Sequence, residues 1–140
     1  MSEFEGIGQF GKPYKVVICD DKRIDQQQVR QFLESRKFEV VYVCENGRML
    51  VDWIKSNPTT ADVIILDIIM PVLDGYAAFW ELKELNLNPF PRIVFVSVEN
   101  TASIIKNVVS LGAYDFITKP LKREVVIERV GKVVRRPLIG

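Results

Sequence analysis

Apolar residues along this chain keep two alternating rhythms. Short runs rich in β-branched residues, "KVVIC", "FEVVYVC", "DVIIL", "RIVFVS" and "AYDFIT", are largely unbroken by polar positions, as strands buried on both sheet faces require. Between them apolar residues recur at helical spacing. Ile24, Gln28, Phe32 and Leu33 mark a first helix, and Met49, Trp53 and Ile54 a second that ends near "SNP". Asp74-Gly75 opens a third carrying Phe79, Trp80, Leu82 and Leu85, with Asp74 suited to cap it. Ile104, Ile105, Val108, Val109 and Leu111 lie on a fourth, stopped by Gly112, and Val126, Val130, Val133 and Val134 form the buried stripe of a fifth. Trp53, Phe79 and Trp80 are expected to pack these helices, and Cys19 to sit in the core. Strand and helix alternate five times, which predicts a doubly wound α/β fold with a parallel sheet.

The ends of the chain lack either rhythm. Residues 1–13 are Gly-rich and aperiodic and read as a flexible N-terminal tail, and 136–140 as a C-terminal one. The tail holds a decoy. "GIGQFGK" satisfies Gly-x-Gly-x-x-Gly at Gly6, Gly8 and Gly11, and the Gly-x-x-x-x-Gly-Lys part of a P-loop at Lys12. Both motifs work only between a strand and the N-terminus of a helix. Here no strand precedes, a strand-like run follows, and Pro13 replaces the P-loop Ser/Thr, so nucleotide binding is not expected.

Length and composition narrow the chemistry. The 140 residues suffice for one domain with one core. With 19 basic and 18 acidic side chains, net charge +1, nothing draws the chain toward nucleic acid or anionic membrane. The absence of histidine excludes Ser-His-Asp triads and the common zinc sites. Two cysteines, Cys19 and Cys44, make no disulfide framework. No signal-peptide pattern or membrane-length apolar run is present, so a cytoplasmic location is expected.

In open α/β sheets ligands bind beyond the carboxyl ends of the strands. Strand one ends in Asp20-Asp21, strand three in Asp67, strand four in Ser97 and strand five in Lys119-Pro120. Taken singly each has a plainer reading: Asp20-Asp21 as a helix cap, Ser97 as a turn residue, Lys119 as a solvated lysine. Together they put three carboxylates, a hydroxyl and an ammonium on one rim. Three carboxylates repel, and a hard divalent cation with oxygen ligands, Mg²⁺ above all, relieves that repulsion. Asp20 and Asp21 are suited to hold the metal while Asp67 keeps an oxygen free as nucleophile. A phosphoryl group joined to Asp67 would have its charge met by the metal, Lys119 and the Ser97 hydroxyl.

The segments "CDD", "LDIIMPVLDGY", "VFVSVEN" and "FITKP", in this order and spacing, resemble the response-regulator receiver domains of two-component signalling, the stand-alone chemotaxis type in particular. The resemblance covers about residues 14–135. It implies a flavodoxin-like five-stranded sheet of order 2-1-3-4-5 flanked by five helices, with Asp67 accepting phosphate from a histidine kinase or phosphotransfer protein. It also implies a Mg²⁺ site of Asp20, Asp21, Asp67 and the Ile69 backbone carbonyl, Ser97 as switch hydroxyl, Lys119 as phosphate contact and Phe116 as switch aromatic. The bond before Pro120 would be cis. Two positions depart from the pattern: Ile69 stands where many members carry a polar side chain, and Val98 where Ala or Gly is common. Both flank the pocket, and slow autodephosphorylation is expected from them.

Three functions follow as expectations. The first is a phosphorylation-operated switch acting on a downstream target or a homodimer through the face of the fourth helix, fifth strand and fifth helix, with Val125 on it. The second is a receiver-like module that binds without phosphorylation. The third is an aspartyl phosphohydrolase, for which Ile69 replaces the second Asp that dehalogenase-type phosphatases use. No output domain follows "RRPLIG", so the effect passes through another protein or the chain is part of a longer regulator.

Overall fold

A computed structural model describes residues 4–138. Five strands alternate with five helices: β1 (Lys15–Cys19), α1 (Arg23–Glu34), β2 (Glu39–Cys44), α2 (Gly47–Ser56), β3 (Val63–Asp67), α3 (Gly75–Glu84), β4 (Arg92–Ser97), α4 (Ala102–Ser110), β5 (Asp115–Thr118) and α5 (Arg123–Val134). All strand pairs are parallel and the order is β2-β1-β3-β4-β5. Strand residues alternate between two cores. Val17, Cys19, Ile64, Leu66 and Phe95 meet α2, α3 and α4 on one face, while Val16, Ile18, Ile65 and Val94 meet Val29 and Leu33 of α1 and the valines of α5 on the other. Both cores cover β3 and β4, which are buried at every position.

Helix ends follow local chemistry. The Asp74 side chain accepts from Ala77 N–H at 2.8 Å and caps α3, and Gly112 ends α4 at φ +92°, a conformation that suits glycine. Arg92, buried at the base of β4, donates to the backbone carbonyls of Arg136 and Asp62, so its charge is hydrogen-bonded where it leaves water.

Three expectations need correction. Residues 4–13 are not an unpacked tail: Gly6 N–H donates to Arg36 C=O at 2.8 Å, Glu5 pairs with Arg36 at 3.0 Å, and Arg135 donates to the carbonyls of Glu5 and Ile7. A Cβ on Gly6 would collide with the Phe38 backbone, so only glycine permits this approach. The amides of Gly6 and Gly8 are consumed by Arg36 and Lys12 carbonyls, which removes the phosphate cradle that "GIGQFGK" advertises. Residues 1–3 of the expected tail lie outside the described residues.

At the other end, Arg136 and Pro137 are tied down rather than loose: Arg136 C=O accepts from Arg92, and Pro137 C=O accepts from Tyr114 Oη–H at 2.7 Å. Residues 139–140 fall outside the described part. Ile24 is exposed, because α1 turns Val29 and Leu33 inward and Ile24 stands off that stripe at the helix start. Trp80 is also largely exposed. It lies one step round α3 from the buried Phe79, whose ring it meets edge-on at 6.0 Å. No helix among the described residues is long and apolar enough to cross a membrane.

Candidate functional site

The carboxyl ends of β1, β3, β4 and β5 form one rim. β1 continues into Asp20, whose N–H donates to Cys44 C=O at 3.0 Å, and β3 ends on Asp67, in register with Val96, the residue before Ser97. β5 leads into Lys119, whose N–H donates to Ser97 C=O at 2.8 Å, followed by a cis bond to Pro120. α3 starts close behind the rim: a Cβ on Gly75 would strike the Asp67 carbonyl oxygen.

Lys119 is the hub. Its side chain is 7% exposed, and Nζ donates to Asp20 Oδ2 at 2.9 Å, Asp25 Oδ2 at 2.8 Å and Asp67 Oδ2 at 3.0 Å. The other Asp67 oxygen accepts from Ile69 N–H at 3.3 Å, and the other Asp20 oxygen from Lys22 N–H at 2.9 Å. Asp20 and Asp21 do not cap α1, whose N-cap is Lys22. Asp20, Asp21 and Asp67 each bring a carboxylate oxygen within 4.8 Å of the others. Asp21 Oδ1 is buried without a hydrogen-bond partner among the described residues. A buried, unpartnered carboxylate oxygen in a hard-oxygen trio fits a Mg²⁺ ligand set.

The electrostatics explain why the trio is unsatisfied. Four carboxylates, those of Asp20, Asp21, Asp25 and Asp67, face one ammonium. Asp67, 5% exposed, is raised from its ordinary 3.8 to about 6, first by burial and then by the charge of Asp20; Lys119 and the Ile69 N–H pull the other way and lose. Lys119 is raised too: burial opposes its charge, but the bonds to Asp25, Asp20 and Asp67 outweigh that. The two directions agree physically, since one ammonium bonded to three carboxylates is well satisfied, while the buried Asp67 receives only a share of it.

Ser97 is buried and its Oγ accepts from Glu99 N–H at 3.2 Å, which leaves its own hydroxyl hydrogen free to turn. Phe116 is half-buried beside Phe95, on the face that α4 covers. Ile69 and Val98 are 52% and 65% exposed, so neither side chain fills the space between the acids. Cys19 is buried, its thiol pushed up by the Cys44 hydrogen bond and burial, which keeps it a protonated core group. The residue sequence reasoning missed is Asp25. It lies in the first turn of α1, five positions after Asp20, where acids are commonplace near a positive helix end, and no periodicity marks it.

Comparison with known proteins places this geometry. The chain is 32% identical to chemotaxis protein CheY of Treponema pallidum over 125 residues, covering 89% of this chain and 85% of that protein. It is 31% identical to chemotaxis protein CheY of Bacillus subtilis, covering 86% and 98%. A solved structure, the CheX-CheY-BeF₃-Mg²⁺ complex from Borrelia burgdorferi, superposes with a TM-score of 0.89 at 30% identity, over 96% of this chain and 100% of that one. Residues 16–131 match the response regulator receiver domain. The strand-end acids, the lysine that gathers them and the 2-1-3-4-5 sheet beneath are thus those of a chain that belongs to the response regulator receiver domain family, a CheY-like member of two-component signalling.

Proposed function

We propose that this receiver domain is a phosphorylation-operated switch that takes a phosphoryl group onto Asp67 from the phosphohistidine of a histidine kinase or phosphotransfer protein, with Mg²⁺. The observation that carries it is the buried Asp67 carboxylate, raised in pKa and bonded through one oxygen to Lys119, beside a carboxylate oxygen of Asp21 that has no partner among the described residues. The Borrelia relative, solved with BeF₃ and Mg²⁺, supports it.

In the transfer, an Asp67 oxygen attacks phosphorus and the phosphorus–nitrogen bond to the donor histidine breaks. Its electron pair leaves with the imidazole, which ends neutral or takes a proton from solvent. Lys119, freed of part of its claim on Asp67, turns an N–H toward a phosphoryl oxygen. Ser97 supplies its free hydroxyl hydrogen to another. Mg²⁺ bound by Asp20, Asp21, Asp67 and the Ile69 carbonyl would neutralise the carboxylates and draw charge from the phosphoryl oxygens. Inward movement of Ser97 makes room for Phe116 to follow, and biases the face of α4, β5 and α5 toward its partner-bound form. On that face Val125 is exposed and, with Phe116, Pro120 and Arg129, lines a depression of about 250 Å³.

Incubation with Mg²⁺ and acetyl phosphate tests the reading. We expect acid-stable, base-labile uptake approaching one phosphoryl group per chain, and none in Asp67→Asn. No uptake together with no response to beryllium fluoride would favour a module that binds without phosphorylation, and many turnovers of a phosphate ester would favour a hydrolase.

The rim positions bear on lifetime. Ile69 and Val98 present apolar groups at the mouth, where a hydrolytic water must enter. Replacing them with Asn and Ala should each speed loss of phosphate by roughly threefold, because both are peripheral and exclude water only in part. Unchanged decay of the labelled protein would show that neither restricts it.

A further inference from the structure

Lys119 has three N–H donors and all three go to carboxylates. Two of those acceptors change when the site is used. Asp20 and Asp67 belong to the trio that fits Mg²⁺, and Asp67 becomes an acyl phosphate, so each has less to offer Nζ in the loaded state. Asp25 changes in neither step. It lies outside the trio, projects from α1 rather than from a strand end, and its side chain is about one-fifth exposed, so it bonds Lys119 at 2.8 Å without being enclosed by the acids. Its place explains the contact. α1 begins at Arg23, and helical side chains lean toward the N-terminus, which aims Asp25 back at the rim where β5 delivers Lys119.

We infer that Asp25 is the positioning residue of Lys119, the anchor that holds Nζ at the mouth of the site before, during and after phosphoryl transfer. This rests on Asp67 being the phosphoacceptor and Asp20 a metal ligand. A lysine carries four rotatable side-chain bonds, and fixing its ammonium beforehand removes an ordering cost from the transfer step. Without Asp25, only Asp20 and Asp67 would hold Lys119, and metal binding by those two acids would weaken that hold before a phosphoryl oxygen is there to replace it. The competing role, a negative charge at the start of α1 acting on the helix dipole, needs no lysine. That difference makes the two separable.

The experiment compares wild type, D25N and D25A, alone and with Lys119→Gln, in the rate of uptake from acetyl phosphate at saturating Mg²⁺. It is joined by the ¹⁵Nζ–H signal of Lys119, free and with beryllium fluoride and Mg²⁺. D25A should slow uptake by about tenfold and lose the slowly exchanging Nζ–H signal, and D25N, whose amide oxygen still accepts from Nζ, should stay within about threefold and keep it. In the Lys119→Gln background D25A should add nothing. Equal slowing in both backgrounds, or D25A matching wild type in rate and signal, overturns the anchor. If Lys119→Gln does not fold, the D25N and D25A comparison with the Nζ–H signal still decides. Should wild type take no phosphoryl group while D25A loses the Nζ–H signal, the phosphoacceptor reading fails and the anchor's role in transfer falls with it, leaving only the Asp25–Lys119 bond; normal labelling with an unmoved signal in D25A overturns the anchor alone.

Discussion

Asp67→Asn is expected to melt higher than wild type in metal-free buffer near pH 7.5, although on the proposed function it should take up no phosphoryl group. Asp67 ionises in the unfolded chain near its ordinary 3.8 but in the fold only at about 6. The fold therefore prefers the protonated form. The contribution of Asp67 to stability is fully present below pH 3.8, falls as pH rises from there to 6, and above 6 leaves the whole cost of ionisation, on the order of 3 kcal/mol at most. Asparagine keeps the shape and removes the charge. Lys119 gives up one carboxylate partner but retains Asp20 and Asp25. A net gain of about 1–2 kcal/mol, roughly 3–6 °C, remains. Melts followed by circular dichroism in EDTA should show the gain at pH 7.5 and none near pH 4. Saturating Mg²⁺ should shrink or reverse it, because only wild type keeps all three carboxylates of the trio that fits the metal. A variant that melts below wild type in EDTA at pH 7.5 would show that Asp67 is stabilised where it stands. On the expected result, the acid proposed to receive phosphate is held at a cost to the fold, as groups at functional sites often are.

The strands could be read from the sequence because burial on both faces forces unbroken apolar runs, and a run's last residue is where polar chemistry begins. Asp67, Asp20, Asp21, Ser97 and Lys119 were found in that way, each ending or following a strand. Other features carry no such signature. Asp25 acts from a helix, and whether a first-turn acid faces solvent or a lysine depends on how β5 and α1 sit in space. Residues 4–13 are held by a backbone hydrogen bond from Gly6 to Arg36 and by the absence of a side chain at Gly6, neither of which leaves a hydrophobic period. Trp80 reads as a packing residue because a helix with apolar residues beyond its buried stripe looks amphipathic over too wide an arc. α3 buries only the inner part of it.

Lys119→Ala should be the most damaging substitution at the rim. It leaves Asp20, Asp25 and Asp67 facing one another with no cation, and breaking a buried pair by removing one partner typically costs about 3–5 kcal/mol. The pH dependence has a definite sign. Lys119 is raised above its ordinary 10.5, so its contribution is complete below that value and is lost only as pH climbs through the raised one. Between pH 5 and 9 Lys119 itself does not titrate, and any pH dependence of the deficit comes from the carboxylates. Without the pull of Lys119, Asp67 moves further up than about 6, so mild acid should neutralise it first and restore much of the lost stability near pH 5. Mg²⁺ should do the same at pH 7.5 by supplying the missing positive charge through Asp20, Asp21 and Asp67. Phosphoryl uptake should nevertheless stay roughly 100-fold slow in saturating Mg²⁺, since the metal replaces the lysine's charge but not its hydrogen bond to the transferring group. Thermal melts with EDTA and with Mg²⁺ at both pH values, set beside the uptake rate, check each part. A variant as stable as wild type in EDTA at pH 7.5 would mean that water already screens the three acids, and one restored to full uptake by Mg²⁺ would mean that Lys119 serves the rim only as a counter-charge.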